Sequence, residues 1–405
     1  MTSLILSAIN TWLLYNLIVP SIESYSVLIL GKYKIPFKLD AIPVFIFVKI
    51  KFARLQNFRN VGFAEIGLDA ASVWICGANA QGKTNLLEAL GLLAAARSFR
   101  TSDISVLVKK GEKSAAVLVG AEVEGAGETE ILIEISKTRK IFIDGGQVAK
   151  LGDFIGRFPA LAMTSEDMKI LRSSPEVRRR DADMFISGID REYFEALKRY
   201  HSAVGHRNAL LRDGETDPSL YTPFEIQMAA AAETIVQKRS QRLEQVAQIA
   251  GERYANFSGE NGESANISLK TSAEAKTAEE FERLFFEERP KDIERRVTRK
   301  GPHRDDFYVS IGGLDAKTYA SEGQQRSAAL SIKLAQFEIF KREKKIEPVI
   351  LCDDILGELD SSRRAAFWAA VPASAQVIST ATSEAPDCAA RSPWKIVNVE
   401  NGRYF

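Results

Sequence analysis

Gly77-Ala78-Asn79-Ala80-Gln81-Gly82-Lys83-Thr84 has the spacing G-x-x-x-x-G-K-[ST], two glycines separated by four residues and followed by a lysine and a hydroxyl. A glycine-rich loop of this kind turns successive backbone N–H groups toward one anion. Lys83 then supplies a cation for the β- and γ-phosphates of a nucleotide, and Thr84 a hydroxyl ligand for Mg²⁺. A second candidate is Val349-Ile350-Leu351-Cys352-Asp353-Asp354, an apolar run ending in two carboxylates. An unpaired negative charge at the end of a buried strand is costly, so a cation belongs beside it. With a phosphate cradle upstream, Asp353 suits Mg²⁺ and Asp354 suits polarising an attacking water. A carboxylate pair capping the next turn is the plainer alternative. The third candidate is Ser321-Glu322-Gly323-Gln324-Gln325-Arg326, at the start of an apolar-periodic run. On its own, a helix cap by Ser321 is the better reading. As an anion site this segment needs a second nucleotide, since residues 77–84 already make one cradle.

These residues act only if ordinary elements hold them. Ser72–Cys76 (SVWIC) reads as a short apolar strand, and residues 83–96, rich in Ala and Leu, as a helix, so strand, loop and helix flank the glycine motif as it requires. Alternating patterns from residue 49, over 115–123 and over 130–144 predict half-buried strands. From about residue 178 to 288 the apolar spacing turns helical, with Ile226, Ala229, Ile235, Leu243, Val246 and Ile249 on one repeat. Gly214 and Pro218 punctuate that stretch, and residues 258–266 read as an exposed loop. Strand and helix then alternate again: 307–311, 324–342, 348–352, 363–370 and 376–380. The expected fold is therefore α/β, a mixed sheet with helices, in two parts (48–175 and 301–405) interrupted by a mainly helical lobe over 176–300.

The chain has 405 residues, 54 Lys plus Arg against 53 Asp plus Glu, and a net charge of +1, so attraction to nucleic acid has to come from local clusters. Two clusters qualify: Arg178-Arg179-Arg180, and Arg289, Lys291, Arg295, Arg296, Arg299, Lys300 and Arg304 against Asp292 and Glu294. Both suit phosphates, and both equally describe solvated or ion-paired faces. Cys76, Cys352 and Cys388 are too scattered for a disulfide framework or a zinc site. Cys76 and Cys352 read as core residues.

The order of glycine motif, long insertion, S-x-G-Q-Q-R, acid pair and Gly357-Glu358-Leu359-Asp360 resembles the ABC-type ATPases of chromosome maintenance and repair. Leu55-Gln56-Asn57-Phe58-Arg59-Asn60 and Gly301-Pro302-His303-Arg304-Asp305-Asp306 narrow the resemblance to the RecF family of recombination mediators, over residues 48–405. The resemblance implies a P-loop ATPase head with a helical arm lobe, and two heads dimerising around two ATP molecules. Gly77, Asn79, Gly82, Lys83, Thr84 and Arg59 of one copy, with Thr84 and Asp353 on Mg²⁺, would face Ser321, Gly323 and Gln324 of the other. Asp354 then stands where transporter heads carry Glu, and Asp360 in the loop crossing the interface. The shorter carboxylate of Asp354 favours a slow ATP switch over a fast motor. Thr164-Ser165-Glu166-Asp167 resembles a sensing segment that has Gln where this chain has Thr164. Thr380 or Thr382 occupies the final switch position, where plain strand-end threonines are an equal reading. The implied partners are DNA, duplex or gapped, a second copy of the chain and recombination mediator proteins, with a cytoplasmic role in recombinational repair, replication restart and recombinase loading at gaps. A transporter subunit would lack an insertion of this length and the G-P-H-R-D-D element, and a chromosome-structural protein would need sustained heptads.

Residues 1–47 look added on. The apolar run 4–19 has no preceding Lys or Arg, is interrupted by Asn10 and Asn16, and falls short of the ~20 residues a membrane span needs. No stable membrane association is expected. Translation of upstream DNA, with Val48 at the true start, is the reading these features suggest. A membrane-associating extension is the alternative.

Overall fold

Parallel strands whose carboxyl ends gather at one edge position the candidate site, and the sequence builds them from short runs of apolar residues. The computed structural model describes residues 26–30, 33–37, 46–258, 264–355, 359–385 and 393–405. It comprises two units, Met1–Val44 and Phe45–Phe405. In the first, β1 (Ser26–Leu30) and β2 (Tyr33–Phe37) pair antiparallel, with Leu30 opposite Tyr33. The apolar run 4–19 lies outside the described residues. Among those described, no helix is long and apolar enough to cross a membrane.

The second unit opens with β3 (Ile46–Phe58), β4 (Val61–Gly67), β5 (Ser72–Cys76) and α1 (Lys83–Ala95). Next come β6 (Ala115–Val123), β7 (Gly127–Ile135), β8 (Arg139–Ile143), β9 (Gly146–Gln147) and β10 (Ala160–Thr164). The helical lobe contains α2 (Pro175–Ile189), α3 (Arg191–Asp213), α4 (Pro218–Ser258), β11 (Ala265–Lys270) and α5 (Ala278–Arg295). The chain returns through β12 (Asp306–Ile311), β13 (Leu314–Asp315), α6 (Glu322–Lys344), β14 (Ile346–Glu347) and β15 (Val349–Asp353). It continues with α7 (Ser361–Ala370), β16 (Val377–Ala381), β17 (Lys395–Glu400) and β18 (Arg403–Tyr404).

One sheet has the order β10-β15-β16-β5-β17-β18, parallel except for the β17–β18 hairpin. Every residue of β15 and β16 is buried, as expected of strands covered on both faces. The second sheet is antiparallel, in the order β14-β3-β6-β7-β8-β9 with β4 on β3, apart from the short parallel β14–β3 pairing. Leu86, Leu87, Leu90 and Leu93 of α1 fill the space between the sheets with Leu55, Val117, Ile133, Ile75 and Leu351. Gln376 ties the two sheets by a buried amide that accepts from the Ile50 N–H at 2.7 Å and donates toward the carbonyls of Ile50, Leu68 and Ala70. A buried amide has to be satisfied in this way. Gly120 of β6 lies under the ring of Phe52, which a Cβ there would meet at 2.1 Å.

On the far face of the parallel sheet, α6 and α7 pack Leu330, Leu334, Phe337, Phe367 and Trp368 onto Trp74, Ile350, Cys352 and Val377. The helical lobe has its own core, in which Tyr193, Tyr200, Met228, Ile235, Phe281 and Phe285 are fully buried. Two boundaries differ from the sequence reading. β3 begins at Ile46, because the Ile46 N–H donates to the Lys345 carbonyl at 2.7 Å and Ile46 and Phe47 pair with β14. Residues 265 and 266, expected in a loop, open β11, which pairs antiparallel with β12. Residues 259–263 lie outside the described residues.

Candidate nucleotide site

β5 ends at Cys76 between β16 and β17, and the glycine loop leaves from that carboxyl edge. A crevice beyond the carboxyl ends of parallel strands is where open α/β sheets take ligands. Ala80 and Gly82 adopt left-handed φ values of 65° and 114°. Gly77 tolerates no side chain, since a Cβ would lie 2.4 Å from the Val399 carbonyl oxygen. Gly82 caps α1 without any side-chain hydrogen bond, and the first turn of that helix contains no acid. Its first N–H groups are therefore left for an anion. Lys83 is only 4% exposed, and its Nζ donates to the carbonyls of Gly77 (2.6 Å) and Ala78 (3.2 Å), folded into its own loop.

Register brings the acid pair to the same edge, with Asp353 beside Thr380 and Thr380 beside Ile75. The hydroxyls of Thr84 (2.9 Å) and Thr380 (2.7 Å) both donate to Oδ1 of Asp353. Burial raises the Asp353 carboxyl above its ordinary value, and those two hydroxyl bonds pull it back down. A buried carboxylate next to a P-loop hydroxyl is a hard-oxygen pair that fits Mg²⁺, a cation that keeps several waters and leans on substrate phosphates. Among the described residues there is no cluster of three or more His, Cys, Asp or Glu that would hold a metal by itself. Asp354 follows with φ 55°, and its N–H donates to both oxygens of Thr380, at 3.1 Å to Oγ1 and 3.2 Å to the carbonyl. Thr380 thus orients both acids. Sequence reasoning had placed Thr380 here as a switch or as an ordinary strand-end residue, without its bond to Asp353.

Arg59 makes a bidentate pair with Glu88 of α1 (2.6 and 2.8 Å) and donates to the Val106 carbonyl at 3.0 Å. Glu88 is fully buried and also accepts from Arg100 (3.2 Å) and Ser98 (2.5 Å). The pair ties the turn at residue 59 to the P-loop helix. Sequence analysis missed Glu88, Ser98 and Arg100; only Glu88, a charged residue on an otherwise apolar helix, left a signal.

The signature residues form a separate group. Ser321 caps α6 by accepting from the Gln324 N–H at 3.3 Å, and Gln324 Oε1 accepts from the Ser321 N–H at 2.7 Å, a complete capping box. Asp360 caps α7 and pairs with Arg363 at 2.9 Å. The Arg363 guanidinium in turn lies 3.2 Å from where a Cβ of Gly323 would be. Residues 356–358 lie outside the described residues. Farther along α6, Lys333 pairs with Asp181 of α2 and, at 3.4 Å, with Asp167 just past β10. Asp167 also accepts from the Thr164 N–H at 2.6 Å. Burial pushes the Asp167 carboxyl up to about 6, against the pull of Lys333.

The two basic clusters part company. Arg178 forms a bidentate pair with Asp306 (2.7 and 2.8 Å), Arg179 donates to the Asp305 carbonyl, and Arg180 to the carbonyls of Ser98 and Thr101. All three guanidinium groups join α2 to its neighbours. In the second cluster Arg289 is buried against Glu225, whereas Lys291, Arg295, Arg296, Arg299 and Arg304 are exposed. The G-P-H-R-D-D element is a structural hub. A Cβ on Gly301 (φ 122°) would strike the Tyr200 hydroxyl at 2.3 Å. Asp305 pairs with buried Arg239 at 3.2 Å. His303 accepts from the Tyr200 hydroxyl at 2.8 Å through Nδ1 and donates from Nε2 to the Thr298 carbonyl at 3.1 Å. That tautomer follows from the carbonyl, which only accepts. Burial draws the His303 pKa down to about 4, so the ring is neutral at neutral pH.

Comparison with known proteins agrees with this geometry. Residues 49–404 match the family model described as the RecF/RecN/SMC N terminal domain. The DNA replication and repair protein RecF of Clostridium tetani (strain Massachusetts / E88) is 31% identical over 360 residues, 87% of this chain and 98% of that protein. Its counterpart in Bacillus subtilis (strain 168) is 32% identical over 341 residues, 81% of this chain and 92% of that protein. Among solved structures, the recombination mediator protein RecF-ATP in the RecFOR pathway superposes with a TM-score of 0.80 at 29% identity, covering 88% of this chain and 97% of that one. An Smc head bound to the C-winged helix domain of ScpA shares the fold at a TM-score of 0.51 and 18% identity. An ATPase-head fold with its helical insertion, and relatives matched over nearly their whole length, make this chain a member of the RecF family of DNA replication and repair proteins.

Proposed function

We propose that this chain binds ATP with Mg²⁺ at residues 77–84 and uses it to bring two heads together on DNA in recombinational repair. The observation that carries the proposal is the convergence of Thr84 and Thr380 on the buried Asp353, beside a helix start with no side-chain cap. When nucleotide binds, Lys83 exchanges the Gly77 and Ala78 carbonyls for phosphate oxygens, a stronger, charge-assisted pairing. Thr84 and Asp353 would hold Mg²⁺, which supplies charge neutralisation between the phosphates. Asp354 accepts the proton of the attacking water, and the backbone bonds to Thr380 fix where its carboxylate starts from. Ser321, Gly323 and Gln324 of a second copy would close over the same nucleotide, with Asp360 at the seam. Turnover is slow in this reading, as suits a switch.

For DNA, the exposed Lys291, Arg295, Arg296, Arg299 and Arg304 are the better surface, because Arg178, Arg179 and Arg180 are committed inside the protein. Gapped DNA, mediator proteins, recombinase loading and a cytoplasmic setting belong to the same proposal and rest on the family. The test is isothermal titration of the full chain with ATP and Mg²⁺, followed by duplex and gapped DNA at several salt concentrations. Saturable ATP binding and salt-dependent DNA binding support it. Failure to bind ATP overturns it.

A further inference from the structure

The hairpin of β17 and β18, seated by Val397, Val399 and Tyr404 against the core, also makes hydrogen bonds to the P-loop that its strand pairing does not require. β17 runs parallel to β5, so it leaves the sheet at the same edge as the loop, and its turn folds back over residues 81 and 82. Three hydrogen bonds join the hairpin to the loop. The Gly402 N–H donates to the Gln81 carbonyl at 3.0 Å. The Asn401 N–H donates to Gln81 Oε1 at 2.5 Å. The Tyr404 hydroxyl donates to the Gly82 carbonyl at 3.0 Å. The Val399 carbonyl supplies the close approach that excludes any side chain at Gly77.

These contacts fall on the carbonyls of Gln81 and Gly82 and on the Gln81 side chain, at and beside the left-handed residues Ala80 and Gly82. A left-handed Ala is strained and persists only where its surroundings impose it. The Gly82 carbonyl is also the acceptor for the Asn85 and Leu86 N–H groups that start α1. Tyr404 therefore grips the point where loop becomes helix, and the Lys83 and Thr84 side chains depart from that point. Its ring is packed, and burial raises the phenol well above its ordinary value, so it stays a proton donor across the working pH range.

We infer that Tyr404, with Asn401 and Gly402, is a positioning device for the nucleotide, holding the P-loop in its anion-receiving shape before ATP arrives. The hairpin touches the loop and not the reacting atoms, so Tyr404 acts through Gly82. The inference rests on the reading of residues 77–84 as the ATP site.

The test compares wild type, Tyr404→Phe and Lys83→Ala as full-length proteins, measuring ATP and ADP affinity by titration calorimetry and the thermal midpoint without nucleotide. Tyr404→Phe keeps the ring and removes only the hydroxyl. Losing one neutral hydrogen bond that preorganises the loop raises the Kd for both nucleotides roughly three- to tenfold. The midpoint without nucleotide stays within about 2 °C of wild type, so a purely structural role, which would lower the midpoint and leave Kd unmoved, gives the opposite pattern. Wild-type affinity in Tyr404→Phe, or a lowered midpoint with unchanged Kd, overturns the inference. If wild type binds ATP no better than Lys83→Ala, the reading of the site itself fails, and that outcome is distinct from either.

Discussion

α1 and α6 both begin next to a glycine and a hydroxyl, yet their first turns are finished in opposite ways. Gly82 gives α1 no side-chain cap, and the loop before it is held open by left-handed residues and by the hairpin. Ser321 and Gln324 give α6 a reciprocal cap that satisfies its own donors. One helix start is built to receive an anion, whereas the other is already at rest. In the proposed function, the signature end would take part only if a partner's phosphate replaced the capping box. The comparison separates binding, a property of one chain, from dimerisation, which needs a second.

The largest effect that would break this division is expected at the α1 end. Lys83→Ala removes the fixed cation, and ATP affinity falls roughly a hundredfold by titration calorimetry, taking dimerisation and turnover with it. A near-normal Kd would mean that the loop is not the phosphate cradle. At the α6 end, Ser321→Arg leaves ATP affinity within about twofold, while the bulky side chain fills the partner's phosphate position and ATP no longer changes sedimentation behaviour. If this variant associates like wild type, the signature assignment is wrong.

Asp354→Asn sharpens the comparison within the first site. Binding and association persist, while the rate of phosphate release falls on the order of a hundredfold, because the amide is a poor proton acceptor. An unchanged rate would take Asp354 out of the chemistry. The smallest effect concerns the joint between the groups, where Lys333 of α6 meets Asp167 and Asp181. The Asp167 carboxyl is raised from 3.8 to about 6, so the folded protein holds a proton there that the unfolded chain has released. That stabilisation is complete below about pH 4 and disappears as pH rises through about 6. The stability of wild type relative to Asp167→Asn therefore declines between pH 4 and 6 in urea melts and is flat above. A difference independent of pH would assign Asp167 an ordinary carboxyl.

The P-loop, the acid pair and the sheet strands could be read from the sequence because each is local: a run of apolar residues, a fixed spacing, a turn. What could not be read depends on contacts far apart in the chain. Arg178 and Arg180 could be read as a phosphate-binding patch or as an ion-paired face, and the choice depends on Asp306 and the Ser98 carbonyl, 128 and 82 residues away. Arg59 matched a nucleotide-binding stretch, and its observed partner is Glu88. Thr380 was recognised as a strand end, but its bond to Asp353 follows from the β15–β16 register, which no local pattern encodes. Strand β11 was partly hidden because it opens at the end of a Ser/Gly/Glu/Asn-rich stretch and its partner β12 lies beyond α5 in the chain.

In the proposed function one chain binds ATP and two chains close on it. The most direct measurement is the molar mass of the wild-type protein by light scattering with no nucleotide, with ADP and with ATP, each with Mg²⁺ at concentrations shown to saturate binding. A monomer is expected without nucleotide and with ADP, and a mass near twice the 44.8 kDa of one chain with ATP. A mass that stays at one chain under saturating ATP, or that doubles equally without it, would contradict ATP-driven closure of two heads.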